Sequence, residues 1–152
     1  MFSETDIQMM RFALEEARIA FAEGELPVGA VVADGERVLA RAHNRRETDA
    51  DPCAHAEILA LRKAAAHLGR WRLQGLTLYV TLEPCPMCAG AAVMAGVESI
   101  CFGAADPRAG CAGSVYALPE DPAFGRVIPC MGGLLEAECA QVLRDFFARR
   151  RA

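Results

Sequence analysis

The run "LTLYVTLEPCPMCAGAAVMAG", residues 76–96, decides the architecture. Its opening, residues 76–82, is short, nearly continuous in apolar residues and rich in strand formers, as a buried strand should be. Residues 86–96 hold helix formers with no polar face, which predicts a helix buried on all sides. Pro86 fits the first helical position, so Cys85 becomes the N-cap and Cys88 a first-turn residue. Backbone N–H groups there lack intrahelical partners, and the positive end of the helix favours thiolate over thiol. Two cysteines in this setting suit a metal; a redox pair is the alternative, although nothing else in the chain suggests a thioredoxin-like site.

Reading outward extends the same alternation of strand and helix. Ser3 and Asp6 resemble a capping box, with aspartate in place of the usual glutamate. Apolar residues then recur at helical spacing from Ile7 to Phe21, and Gly24 is a plausible stop. "VGAVVADGERVLARA" (28–42) is two strand-like runs around Asp34-Gly35, a hairpin signal. Asp51-Pro52 marks a second helix start, running to about Leu68 before Gly69. "ESICFG" (98–103) reads as a strand, followed by a Gly/Ala/Pro-rich loop to Gly113. "RVIPC" (126–130) reads as a last short strand, and residues 134–150 as an amphipathic helix. The expected class is α/β: a three-layer α/β/α arrangement whose mixed sheet of about five strands opens with a hairpin and continues largely parallel. One domain over residues 1–152 is expected from the length.

With 53% hydrophobic and 24% charged residues, the composition is that of a globular protein. No apolar run approaches the roughly 20 residues that span a bilayer. The start "MFSETDIQMM" lacks the features of a secretory signal, so the expected compartment is the cytoplasm. Seven cysteines, an odd number, argue against a disulfide framework. All but Cys85 and Cys88 are expected to be small buried or half-buried hydrophobes. The net charge of −4 gives no support to nucleic-acid binding by itself. Arg149, Arg150 and Arg151 end the last helix, either as a solvated tail or as a phosphate-binding patch.

Two cysteines cannot complete a tetrahedral site. "DPCAHAEILALR" (51–62) supplies the missing ligand, because His55 stands near another helix start. One His and two Cys leave a fourth position for water, the pattern of catalytic rather than structural zinc. Cys53 as a fourth ligand would make the site structural, but would leave Glu57 without a purpose. Zinc lowers the pKa of bound water from 15.7 to roughly 7–9. Two thiolates blunt that effect, so Glu57 is the expected proton carrier; its bland alternative is a carboxylate stabilised by the helix dipole. Residues two apart do not share a helix face, so His55 and Glu57 must converge through the geometry of the first turn.

"HAE" at 55–57 with "PCPMC" at 84–88 resembles the zinc-dependent nucleoside and nucleobase deaminases, of which this pattern is the defining signature. "ELPVGAVV", "AHNR", "DPCAHAEILALR", "TLYVTLEPCPMCAGA", "FGAADPRAG" and "ECAQVLRDFF" together resemble the bacterial tRNA-specific adenosine deaminases, from about residue 5 to residue 151. The resemblance implies a cytidine-deaminase-like fold and a homodimer that converts the wobble adenosine of an arginine tRNA anticodon stem-loop to inosine. It implies one zinc ion per subunit on His55, Cys85 and Cys88, with Glu57 shuttling the proton as C6 of the flipped-out adenine is attacked. It further implies that Asn44 hydrogen-bonds the base, that Asp106 contacts a ribose, and that Glu25, Leu26 and Val28 line the pocket. Phe147, beside Phe146, and Arg149–Arg151 would lie near the RNA. His43 and His67 are expected to be structural or exposed. Cys53 stands where the family often has threonine, and Gly96 where a basic residue is frequent. Two other readings remain open at this point: a deaminase of free guanine or cytosine, and a non-catalytic RNA-binding module with a structural zinc.

Overall fold

The computed structural model describes residues 1–151. Helix α1 spans Glu4–Ala22, capped as the sequence predicts: the Asp6 N–H donates to Ser3 Oγ at 3.0 Å and the Ser3 N–H to Asp6 Oδ2 at 2.9 Å. Strands β1 (Gly29–Asp34) and β2 (Arg37–His43) form the hairpin, followed by α2 (Ala56–Leu68), β3 (Thr77–Leu82), α3 (Pro86–Ala95) and β4 (Ser99–Ala104). A long loop with two short 3₁₀ turns leads to β5 (Cys130–Met131) and α4 (Glu136–Arg151). The five strands run in the order β2-β1-β3-β4-β5. β1 is antiparallel to β2 and β3, whereas β3, β4 and β5 are parallel. This is the expected mixed sheet.

Because strand side chains alternate, each face of the sheet gathers its own core. Ala30, Val32, Leu78, Val80, Ile100 and Phe102 pack with α2 and α3. Val31, Ala33, Tyr79 and Cys101 face α1 and α4. The α1 layer sits very close to the sheet: a Cβ built on Gly29 would lie 1.9 Å from the Ala13 carbonyl oxygen. Tyr79 adds a polar tie, its hydroxyl donating to Asp6 Oδ1 at 2.7 Å. Among the described residues no helix is long and apolar enough to cross a membrane.

The strand directions decide where a site can form. β2, β3 and β4 all point the same way, so their last residues share one edge of the sheet with the start of β1. α3 leaves from the end of β3, while α2 must run back toward the start of β3. Both helix N-termini therefore fall at that same edge.

Three expectations need correction. α2 does not begin at Asp51-Pro52. The Asp51 side chain accepts from the Cys53 N–H at 2.9 Å, and its carbonyl from the Ala54 N–H at 3.1 Å, so Pro52 occupies a tight turn. The helix starts five residues after Asp51, with His55 in extended conformation (φ −75°, ψ 151°) as its N-cap. Nor is α3 buried all round. Only Cys88, Ala89 and Ala92 are fully enclosed, and Met94 is 76% exposed, because the sheet, α2 and the 118–120 turn cover the inner side of α3 and, among the described residues, none covers the side that carries Met94. The last strand is also shorter than expected, and it begins only after Pro129, which has no N–H for the ladder.

Gly29→Ala is expected to destabilise the protein by about 1–3 kcal/mol or more, since its methyl group meets helix backbone that cannot rotate away. Urea denaturation followed by circular dichroism checks this.

Candidate active site

His55 and Cys85 are the N-caps of α2 and α3, yet neither uses its side chain to cap. Those side chains point at each other instead. His55 Nδ1 lies 3.6 Å from Cys85 Sγ and 3.5 Å from Cys88 Sγ, and the three ligand atoms fall within 4.8 Å of one another. Around a tetrahedral zinc with sulfur at about 2.3 Å and nitrogen at about 2.0 Å, neighbouring ligand atoms are roughly 3.5–3.8 Å apart. The imidazole-to-sulfur spacings already match. Among the described residues no fourth His, Cys, Asp or Glu joins the group. Cys53, expected to be buried or half-buried, is exposed on the turn before α2.

The electrostatics favour a cation. Cys85 is lowered to about 4, because the Cys88 thiol donates to it and His55 adds a second hydrogen bond. Cys88 is pushed far up by that same contact and by burial. His55 is raised, chiefly by its hydrogen bond to Cys85. Thiol, thiolate and imidazole thus compete for protons that a bound divalent ion would displace.

Glu57 completes the corner. It is 4% exposed, and burial raises its carboxyl to about 7. Its side chain reaches Cys88, and it lines one cavity with His55 and Cys85. The puzzle of two residues on different helix faces is resolved by conformation. His55 stands outside the helix in extended backbone, while Glu57 lies inside the first turn.

The cavity measures about 160 Å³. An engineered cavity of about 150 Å³ holds a benzene, so there is room for a planar heterocycle. Leu26, Val28, Asn44 and Asp106 line it. Asn44 is held by its Nδ2, which donates to the Leu26 carbonyl at 3.4 Å, and by its Oδ1, which accepts from the Arg46 N–H at 3.1 Å. Asp106 Oδ1 accepts from the N–H groups of Arg108 (3.0 Å) and Ala109 (3.3 Å).

Glu25 does not line the cavity. Its carboxylate turns away to accept from the N–H groups of Glu47 (3.2 Å) and Thr48 (2.6 Å) and from the Thr48 hydroxyl (2.6 Å). Burial alone would raise this carboxyl, but the Thr48 and Glu47 donors outweigh it and hold it below its usual range.

Sequence reasoning missed two charged cavity residues. Arg46 lies on the wall, and among the described residues no carboxylate pairs with it. Glu83 is 2% exposed and accepts from the N–H groups of Asp106 (3.0 Å), Ala112 (3.0 Å) and Ser114 (2.9 Å), as well as from the Ser114 hydroxyl. No local signal marks Glu83, because its partners lie 23 to 31 residues along the chain.

A second groove shares Leu26, Leu82 and Asp106 with the cavity and continues to Arg108 and Phe147. Beyond it, Arg149 lies over the Phe21 ring at 5.7 Å and Arg150 over Phe146 at 5.4 Å. Arg151 is exposed at the end of α4. His43 is structural, with its two ring nitrogens each 2.9 Å from a carboxylate, Glu16 and Glu23. His67 is 3.4 Å from Arg37.

An α/β/α sandwich with one imidazole, two thiols and a buried carboxyl at two helix starts is the framework of a deaminase. The model of the MafB19-like deaminase family matches residues 4–151. A tRNA-specific adenosine deaminase of Bacillus subtilis is 48% identical over 142 residues, covering 93% of this chain and 88% of that protein. A structure from work on A-to-I editing by tRNA:A34 deaminases at the wobble position of transfer RNA superposes with a TM-score of 0.86. It is 42% identical and covers 90% of this chain and 99% of that one. A guanine deaminase from Nitrosomonas europaea is more distant, 28% identical with a TM-score of 0.81, over 97% of this chain and 86% of that one. The chain belongs to the tRNA-specific adenosine deaminase family.

In protein stripped of metal by a chelator, alkylation of Cys85 should remain near its maximal rate down to about pH 5, against a fall below about 8.5 for an ordinary thiol. Peptide mapping of iodoacetamide-treated protein across pH checks this; an inflection near 8.5 at Cys85 would contradict it.

Proposed function

We propose that the chain acts as a single deaminase domain that converts the wobble adenosine of a tRNA anticodon to inosine. The observation that carries the reading is the buried corner where His55, Cys85, Cys88 and Glu57 meet at the floor of a cavity sized for one base. The donor set of one nitrogen and two sulfurs, at tetrahedral spacing, suits zinc better than the hard cations that require oxygen. One zinc ion per subunit, held by His55, Cys85 and Cys88, would supply Lewis-acid activation of water.

The chain's own residues do the rest. Glu57 takes a proton from water and returns it to the substrate: the water oxygen bonds to C6, the C6–N bond breaks, and the two water protons end on the ring N1 of inosine and on the departing ammonia. Burial suits it to this task, because a carboxyl raised toward neutrality can both accept and release a proton near pH 7. Asn44, fixed by Leu26 and Arg46, offers its amide to one edge of the base. Leu26 and Val28 exclude water from its faces. Asp106 stands where the cavity opens into the groove, in reach of a ribose.

That groove favours a strand over a free base. It leads from Asp106 past Arg108 to Phe147, an apolar and basic path suited to a stacked nucleotide and its phosphates. Arg149, Arg150 and Arg151, without carboxylate partners among the described residues, extend the path. An arginine tRNA is the substrate that the family resemblance suggests, and the cytoplasm is where such a substrate is met. We further infer a homodimer through the uncovered face of α3, which exposes Met94 and whose Ala91 and Ala95 line an apolar groove together with Trp71 (64% exposed). Met94→Glu should shift the sedimenting species toward monomer; a wild-type protein that sediments as a monomer at micromolar concentration would contradict the dimer.

Incubation with an anticodon stem-loop carrying adenosine at the wobble position should release ammonia and yield inosine, with no turnover of free guanine or cytosine. Turnover of a free base and none of the stem-loop would reverse the assignment. Glu57→Ala should keep zinc and fold while slowing deamination by about 10²–10⁴-fold. Cys88→Ser should lose metal and stability together, because two protein ligands remain. A zinc-replete and fully active Cys88→Ser protein would contradict the ligand set.

A further inference from the structure

Two buried carboxylates outside the metal group make matching arrangements. Glu25 is 1% exposed and Glu83 2% exposed. Each accepts from the backbone N–H groups of one loop and from a hydroxyl on that loop, Thr48 for Glu25 and Ser114 for Glu83. Neither forms a salt bridge among the described residues, so hydrogen bonds from the loops chiefly compensate the buried charge, with a longer-range attraction from Arg45 added at Glu25. The fit on Glu83 is tight enough to require glycine opposite it, since a Cβ at Gly110 would lie 2.3 Å from the carboxyl carbon.

The two loops flank the metal group. One follows β2 and the other follows β4, while Cys85 follows β3, which stands between those strands in the sheet. The first loop presents Asn44 and Arg46 to the cavity, and the second presents Asp106. Neither carboxylate hydrogen-bonds to His55, Cys85 or Cys88.

We propose that Glu25 and Glu83 are paired positioning residues: buried anionic stakes that hold the Arg46 loop and the Asp106 loop at the separation needed to grip one nucleotide of an RNA strand. The inference rests on the RNA reading above and deepens it. Recognition of the strand is carried by the two staked loops, and the metal group attends to the reacting base. Loss of a charge-assisted hydrogen-bond set should therefore loosen a loop and weaken substrate binding while leaving the metal in place.

The test uses full-length, zinc-loaded Glu25→Gln and Glu83→Gln, with Thr48→Val and Ser114→Ala as milder variants that keep the carboxylate. For the carboxamide variants KM for the stem-loop should rise about tenfold or more, and for the hydroxyl variants about threefold. For Glu25→Gln, Thr48→Val and Ser114→Ala, which alter no residue lining the cavity, saturated kcat and zinc content should stay at the wild-type level. Amide hydrogen exchange should quicken at Glu47 and Thr48 when the Glu25 stake is altered, and at Asp106, Ala112 and Ser114 when the Glu83 stake is altered. Unchanged KM in variants whose loops exchange faster would overturn the proposal, as would a fall in kcat and zinc content at constant KM. If the carboxamide variants do not fold, the hydroxyl variants decide by the same readouts. A wild-type protein that leaves the stem-loop untouched sinks the RNA reading and this inference together; unchanged KM in an active background sinks this inference alone.

Discussion

Gathering an imidazole, two thiols and a carboxyl into one buried corner is costly, because each polar group left unpaired away from water loses about 1–3 kcal/mol. The chain tolerates this by placing the corner at two helix starts. The unsatisfied N–H groups of α2 and α3 and their positive ends offset the charge of a thiolate and a carboxylate. Topology makes the placement possible. β2, β3 and β4 end at one edge of the sheet, and the two helices that cover one face both begin there. The cost that remains is visible in Glu57, whose carboxyl is driven up to about 7 by burial, and in the proton crowded between Cys85 and Cys88. A divalent cation would relieve both at once.

From that corner the structure can be read in shells. In the proposed function, His55, Cys85, Cys88 and Glu57 meet the reacting part of a base, and Leu26, Val28 and Asn44 enclose it. Arg46, Asp106 and the groove toward Phe147 face whatever the base is attached to. The nearest parts are carried by helix ends locked to the sheet, whereas the outer parts ride on loops anchored from beneath by Glu25 and Glu83. Chemistry is thus entrusted to rigid elements and recognition to staked loops. This division is consistent with a family fold that also appears in a guanine deaminase at 28% identity.

Most of the fold was legible because its signals are local. The capping box at Ser3, the hairpin at Asp34-Gly35 and the Gly69 stop each depend on neighbouring residues, and each stands in the structure. The convergence of His55, Cys85 and Cys88 was legible for a chemical reason, since few residue types at few spacings can bind zinc. What failed was non-local or ambiguous. Pro52 suits a turn as well as a helix start, and the choice was made by Asp51 hydrogen-bonding to its own chain. The apolar surface of α3 was read as burial, but periodicity cannot distinguish a face covered by the chain from one left for a partner. Glu25 was assigned to the pocket by resemblance, and only the positions of the Glu47 and Thr48 amides reveal its actual direction. Glu83 was missed because its partners lie 23 to 31 residues away.

The most direct test of the central claim is X-ray absorption at the zinc edge of freshly purified protein that deaminates the stem-loop. The account predicts one imidazole nitrogen at about 2.0 Å, two sulfurs at about 2.3 Å and one further light ligand. A third sulfur in the coordination shell, or active protein with no zinc signal, would contradict it.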